Sequence, residues 1–441
     1  MDEAPLWPFH ASSPTVEIVA AKGAELVLAD GRRVLDGSGG AIAVNVGHGR
    51  PEVGAAAAAA MTAISYALPP YATPHRKALV ETLRKDWLPA YLPRALFACG
   101  GAEANDLALR LVRYYHLARG EASRHKIVSR AISYHGATMA TLSLSGHPDR
   151  RRGLEPYLVA SPKAPTPFPL HFVPGPDGMP CGKAAAEALD ALIRAEGPET
   201  VAAFIGEPIV GASGGAIVPP DDYWPAVEAV CRRHGILFIA DEVMTGFGRT
   251  GARFAIDHWG VTPDILVAGK GLASGYAPIV GIFARDEIAD TLKEGGASPM
   301  FYTYSATSGA CAAASAVLAI LTREDLVARS ARLGAHLVAA LGERLGQSPH
   351  VAEIRGRGLM VGLEMVADRE TLRPFPAEAN VQKRVLARAL ELGAFVYPAG
   401  NGALRDCLLL GPPFVIAEAE IERLAGIVAT AIEDVTHSLS R

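Results

Sequence analysis

The chain has 441 residues, half of them hydrophobic, and 42 lysines and arginines against 46 acids for a formal net charge of −4. With both signs interspersed there is no basic stripe for nucleic acid and no polybasic segment for an anionic membrane, which leaves a small molecule as the expected partner. The start MDEAPLWPFHASSP is acidic without an apolar centre, no run approaches the ~20 apolar residues of a membrane span, and five cysteines lack CxxC spacing. The expectation is therefore a cytoplasmic globular protein with reduced thiols, no zinc site, and material for one large domain plus a smaller one.

In chain order, the alanine run Ala55 to Ala60 predicts a helix, since alanine has the highest helix propensity. Continuous apolar runs at Arg94–Cys99, Lys126–Ser129, Val201–Ile205, Gly235–Ala240 and Asp264–Ala268 predict strands covered on both faces, as in a mostly parallel α/β sheet. Between them, Ser161 to Gly182 carries seven prolines and three glycines and predicts an irregular stretch. Ligands of such sheets sit beyond the carboxyl ends of the strands, so the residues that follow each run are the candidates. These are Gly100-Gly101-Ala102-Glu103, then Tyr134-His135-Gly136, Glu207-Pro208, Asp241-Glu242-Val243 and Gly269-Lys270-Gly271.

Each candidate admits two readings. The turn Gly100-Gly101-Ala102 enters a helix whose apolar face is Ala108, Leu111, Val112 and Tyr115; its free N–H groups suit a phosphate, or its glycines serve packing alone. Lys270, between two glycines at a buried strand end, is either an amine with a depressed pKa able to attack a carbonyl or a lysine that reaches solvent. Asp241, at the end of the neighbouring run, needs a cation, which is either a structural partner or a protonated pyridine nitrogen. GFGRTG, Gly246 to Gly251, spells a dinucleotide fingerprint, yet no helix pattern follows it and the position 20 residues beyond is Gly271 rather than an acid. Together, a lysine, an acid, a glycine-rich helix start and groups to pack the ring faces specify pyridoxal 5′-phosphate.

From about Gly31 to Pro412 the sequence resembles the class III (ω-type) aminotransferases of pyridoxal-phosphate fold type I. The resemblance rests on DGRRVLDGSGG, VNVGHGRPEV, GGAEAND, SYHG, GEPIVG, DEVMTGFGRTG, ILVAGKGLASGYAP and YTYSATSGACAAA, in that order. It implies an α/β fold whose large domain, residues 63–310, holds a mostly parallel seven-stranded sheet flanked by helices. The segments 1–62 and 311–441 would form a smaller α+β domain. By the same resemblance Lys270 is the Schiff-base lysine, Asp241 the partner of the pyridine nitrogen, and Val243 and Tyr134 the contacts on the two ring faces. Gly101 and Ala102 would hold the phosphate by backbone N–H, with His135 and Glu207 near the ring. Thr303 would reach the phosphate of the partner subunit in a homodimer. GFGRTG is then a structural loop.

Three departures qualify the likeness. Ala102 stands where many relatives have a phosphate-binding serine, and Met244 where relatives often have glutamine. The turn that carries a carboxylate-receiving arginine in many ω-transaminases reads Tyr397-Pro-Ala-Gly-Asn401, leaving Arg405 or a surface role for that arginine as open alternatives. Trp7, Tyr302 and Tyr397 are the other candidates for the substrate pocket. The implied reaction is a ping-pong transfer from a primary amine or ω-amino acid to a keto acid, pyruvate over 2-oxoglutarate. An aminomutase, racemase or decarboxylase of the same fold is the alternative, and a non-catalytic cofactor-binding relative a third.

Overall fold

The five apolar runs become the strands Arg94–Ala98, Lys126–Arg130, Val201–Gly206, Leu237–Glu242 and Ile265–Ala268 of one seven-stranded sheet in the computed structural model, which describes residues 16–174 and 178–439. Trp7 lies outside the described residues. Alternate residues of these strands enter two separate cores. Phe204, Phe238 and Leu266 pack with Trp224 and Val227, whereas Ala203, Ile205, Ile239 and Val267 pack with Leu107, Leu111 and Leu292. A strand buried on both faces has no need of polar alternation, which is why the runs read as continuously apolar.

Two further strands complete the sheet. Lys163–Ala164 pairs parallel to Lys126–Arg130 at one edge, inside the proline-rich stretch whose described residues otherwise carry only the short turn Pro169–His171 before the helix Cys181–Glu196. Val280–Ala284 is inserted between Arg94–Ala98 and Ile265–Ala268 and runs antiparallel to both. All the other pairings are parallel, so the carboxyl ends of the five predicted strands open on the same side.

The N-terminal strands Ile18–Lys22, Glu25–Leu28 and Arg33–Asp36 form a second sheet, which the distant Ala394–Phe395 joins in parallel. A third sheet contains Val351–Arg357, Met360–Met365, Cys407–Leu410 and Tyr397–Ala399. The alanine run lies within the helix Pro51–Ala63. Among the described residues no helix is long and apolar enough to cross a membrane.

The GFGRTG loop links these parts. Gly248 has a φ of 93°, in the left-handed region that favours glycine, and the next regular piece is only the short turn Ala255–Trp259. Between its glycines Arg249 is fully buried. It donates to Leu359 O (2.9 Å), Pro412 O (2.8 Å), Val44 O (3.3 Å) and Asn45 Oδ1 (2.6 Å), binding segments more than a hundred residues away on both sides. Arg249→Met should therefore cost about 3 kcal/mol or more of stability, because it leaves several buried acceptors without a donor. Urea unfolding of the two proteins measures this; a loss below about 1 kcal/mol would contradict it.

Candidate active site

Strand alternation separates the two acids of Asp241-Glu242. Glu242 turns away from the sheet opening and accepts from Thr245 Oγ1, Ala255 N (3.0 Å) and Ile256 N (2.7 Å), so it anchors the following loop. Asp241 is also buried, but its partners come from other strand ends. Oδ2 accepts from Asn105 Nδ2 at 2.8 Å and faces His135 Nδ1 at 2.7 Å, while Oδ1 accepts from Val243 N at 3.1 Å. Asn105 also donates to His135 O at 2.8 Å, which ties helix, loop and strand together around one carboxylate. Asn105 Oδ1 and His135 Nε2 are buried with no hydrogen-bond partner among the described residues.

Lys270 follows the strand Ile265–Ala268 and is only partly buried. Its φ of 44° is a left-handed conformation that a non-glycine residue rarely takes, the kind of local strain found at functional sites. Nζ donates to Ala41 O at 2.8 Å, so the N-terminal segment closes one side of the opening. Burial lowers the ammonium to about 8, against the opposing pull of Asp241 and Glu207. Glu207, just past the strand Val201–Gly206, accepts from Tyr134 N (3.1 Å) and Gly211 N (2.9 Å), and burial pushes its carboxyl up. The backbone of Tyr134 is thereby fixed, and its ring lies beside His147 and Arg150.

The turn at Gly100 starts an 18-residue helix, Gly101–Ala118, with no side-chain cap, so the first N–H groups are free to point at an anion. A Cβ on Gly101 would lie 2.8 Å from Val243 Cγ1, and one on Gly136 would lie 2.5 Å from Ala102 Cβ. Glycine at both places lets backbone approach closely. An amine, a buried carboxylate, an uncapped helix start and an aromatic thus share one opening, and this set fits pyridoxal phosphate.

Residues 9–432 match the family model "Aminotransferase class-III". The chain belongs to the class III aminotransferases. A class III aminotransferase depends on pyridoxal phosphate, in agreement with the residues around Lys270. The chain is 34% identical over 443 residues to the diaminobutyrate–2-oxoglutarate transaminase of Halomonas elongata, covering 98% of this chain and 93% of that one. It is 34% identical over 426 residues to the putrescine–pyruvate aminotransferase of Pseudomonas aeruginosa, with 94% and 90% covered. An (S)-enantioselective ω-transaminase structure from Thermomicrobium roseum superposes with a TM-score of 0.90 at 37% identity, covering 97% of this chain and 96% of that one.

The remaining candidates of this class III aminotransferase are more dispersed. Thr303 is exposed on the single protomer. Tyr302 is partly buried, and burial raises its phenol, aided by Asp106 on the Gly101–Ala118 helix. Tyr397 pairs with Leu409 and packs against the core. Arg405 directs its guanidinium to Phe375 O and lies 3.8 Å from Asp406, within its own turn. Met244 borders Gly211, whose N–H is held by Glu207. Sequence reasoning missed Asn105 and Ala41. Asn105 had a signal, as a polar residue three positions before Ala108 on the apolar face of its helix; Ala41 had none, because only its backbone takes part.

Proposed function

We propose that the protein is a ping-pong aminotransferase that moves an amino group from a primary amine or ω-amino acid to a keto acid, with pyruvate favoured. The observation that carries this reading is that Glu207, Asp241 and Lys270 stand at or just past the carboxyl ends of three neighbouring parallel strands, with both acids acting on the Lys270 amine. When bound, pyridoxal phosphate supplies the carbonyl with which amines condense and the electron sink for the α-carbon. Lys270 Nζ would hold the cofactor and, as a free amine, would move a proton at the donor's α-carbon. Asp241, held by Asn105, His135 and the Val243 N–H, would serve as the partner of the ring nitrogen. Val243 and Tyr134 would bound the ring and the Gly101 and Ala102 N–H groups would receive the phosphate, while Glu207 positions Tyr134 through its backbone N–H.

Pyruvate is preferred because the Tyr397–Asn401 turn lacks the arginine that a dicarboxylate would require in addition to a first cation. We also place the enzyme in the cytoplasm and read it as a homodimer in which Thr303 serves the neighbouring site. Supporting that assembly, Tyr71, Phe301 and Tyr304 are all exposed on the single protomer, flanking Thr303 or tied to its loop through Arg76, which donates to Tyr71 O and Ala306 O.

Titration of the holoenzyme tests the reading. An amine donor should bleach the visible cofactor band, pyruvate should restore it, and sedimentation should give a dimer. A band that no amine bleaches would move the reaction to the isomerase or decarboxylase class, and an active monomer would remove the shared site.

A further inference from the structure

A keto-acid substrate carries a carboxylate, and the Tyr397–Asn401 turn offers it no cation. We propose that Arg150 receives that carboxylate and is the specificity-determining residue for a monocarboxylic acceptor, an inference that rests on the aminotransferase reading above. Its position makes the first argument. The stretch from Gly146 to Arg150 is stitched to the turn: Asn401 Nδ2 donates to Gly146 O at 3.2 Å, and Gly402 N donates to Asp149 Oδ2 at 3.0 Å. A cation missing from one member of this pair of loops is thus supplied by the other.

Orientation makes the second. Of the three consecutive arginines, Arg152 pairs with Asp149 Oδ1 at 2.8 Å and Arg151 donates to Ser145 O at 3.4 Å. Arg150 instead lies over the Tyr134 ring, with Cζ 4.5 Å from the centroid. The Tyr134 backbone is fixed by Glu207, so the guanidinium is held at the rim of the same opening as Lys270, and its charge is among those that act on Lys270. Asp149, the nearest acid in sequence, already serves Gly402 and Arg152. Among the described residues Arg150 forms no ion pair, and its planar fork is free to bind a carboxylate with two hydrogen bonds.

His147 explains the limit to one carboxylate. It is buried at the edge of the Tyr134 ring, 6.4 Å between centroids, and burial, followed by the Arg150 charge, pushes its imidazole down to about 4. It therefore stays neutral near pH 7 and adds no second cation. Arg150 is the cation of this segment that lies over the Tyr134 ring, whereas Arg151 is directed to Ser145 O and Arg152 to Asp149, so a single guanidinium is presented beside Tyr134, which suits pyruvate over a 2-oxo diacid.

The test compares wild type, Arg150→Met and Arg150→Lys as holoenzymes with one uncharged amine donor and two acceptors, pyruvate and benzaldehyde. The readout is the ratio of kcat/KM for pyruvate to that for benzaldehyde. Losing a charge-assisted bidentate contact should lower this ratio about 10- to 100-fold in Arg150→Met, chiefly through the KM for pyruvate, with partial recovery in Arg150→Lys. A merely structural role for Arg150 would slow both acceptors alike, so an unchanged ratio overturns the assignment while leaving the transaminase reading intact. A wild-type enzyme that aminates neither acceptor overturns that reading, and the assignment with it.

Discussion

Lys270→Ala is expected to lose at least about 10⁴-fold in turnover, because it removes both the attacking amine and the proton carrier. The fold should survive, since among the described residues the side chain makes a single hydrogen bond, to Ala41 O, and is only partly buried. The sign of the stability change follows from the amine's titration. Burial holds the folded-state value at about 8, below the ordinary lysine value of 10.5, so the unfolded chain binds the proton more readily between those limits. Charging Lys270 below pH 8 therefore works against folding, and the cost is relieved as pH rises from 8 to 10.5. Alanine removes that cost, and the apoprotein of Lys270→Ala should melt at or above the wild-type temperature at pH 7. The same shift predicts that cofactor uptake by the wild-type apoprotein accelerates as pH rises through about 8, where the free amine becomes abundant. Rapid-mixing absorbance over pH 6.5 to 9.5 measures this, with thermal melting of the variant alongside. Near-normal turnover in Lys270→Ala would sink the assignment of that lysine.

The fold and the site were legible in the sequence to different depths, for physical reasons. A strand buried on both faces announces itself locally, so Val201–Gly206 and Leu237–Glu242 could be read from hydrophobicity alone, and their carboxyl ends then singled out Glu207 and Asp241. Val280–Ala284 was not separated from its surroundings, since the direction in which a strand runs is set by the path of the chain rather than by its composition. The contacts that complete the site were hidden for a related reason. His135 meets Asp241 across 106 residues and Lys270 meets Ala41 across 229; the first pairing follows from the order of strands in the sheet and the second from the path of the N-terminal segment across it. Arg150 is the extreme case. It is the first of three consecutive arginines, and only the placement of its ring partner and of the Asn401 turn distinguishes it from the other two. GFGRTG shows the converse, a local pattern whose meaning is set by what Arg249 reaches in space.

Asp241→Asn is expected to lower kcat about 10²- to 10³-fold, the scale for removing one charge aimed at a reacting centre. The substitution is nearly isosteric, yet the site is built for an acceptor on both oxygens. Asn105 Nδ2 and His135 Nδ1 converge on Oδ2, and the Val243 N–H points at Oδ1. An amide placed either way sets its own N–H₂ against at least one of these donors. His135 offers a partial escape, because its Nε2 has no hydrogen-bond partner among the described residues and the imidazole proton can move there, freeing Nδ1 to accept. Asn105 has no equivalent freedom, since one Nδ2 hydrogen already serves His135 O. Stability should therefore fall by about 1–3 kcal/mol, the cost of one mismatched buried donor, while the loss in rate is larger because the negative charge facing the ring nitrogen is gone. Measuring kcat together with the urea midpoint separates the two effects. If Asp241→Asn unfolds as readily as expected but turns over within tenfold of wild type, Asp241 is a structural keystone for the three strand ends rather than the cofactor's counter-charge.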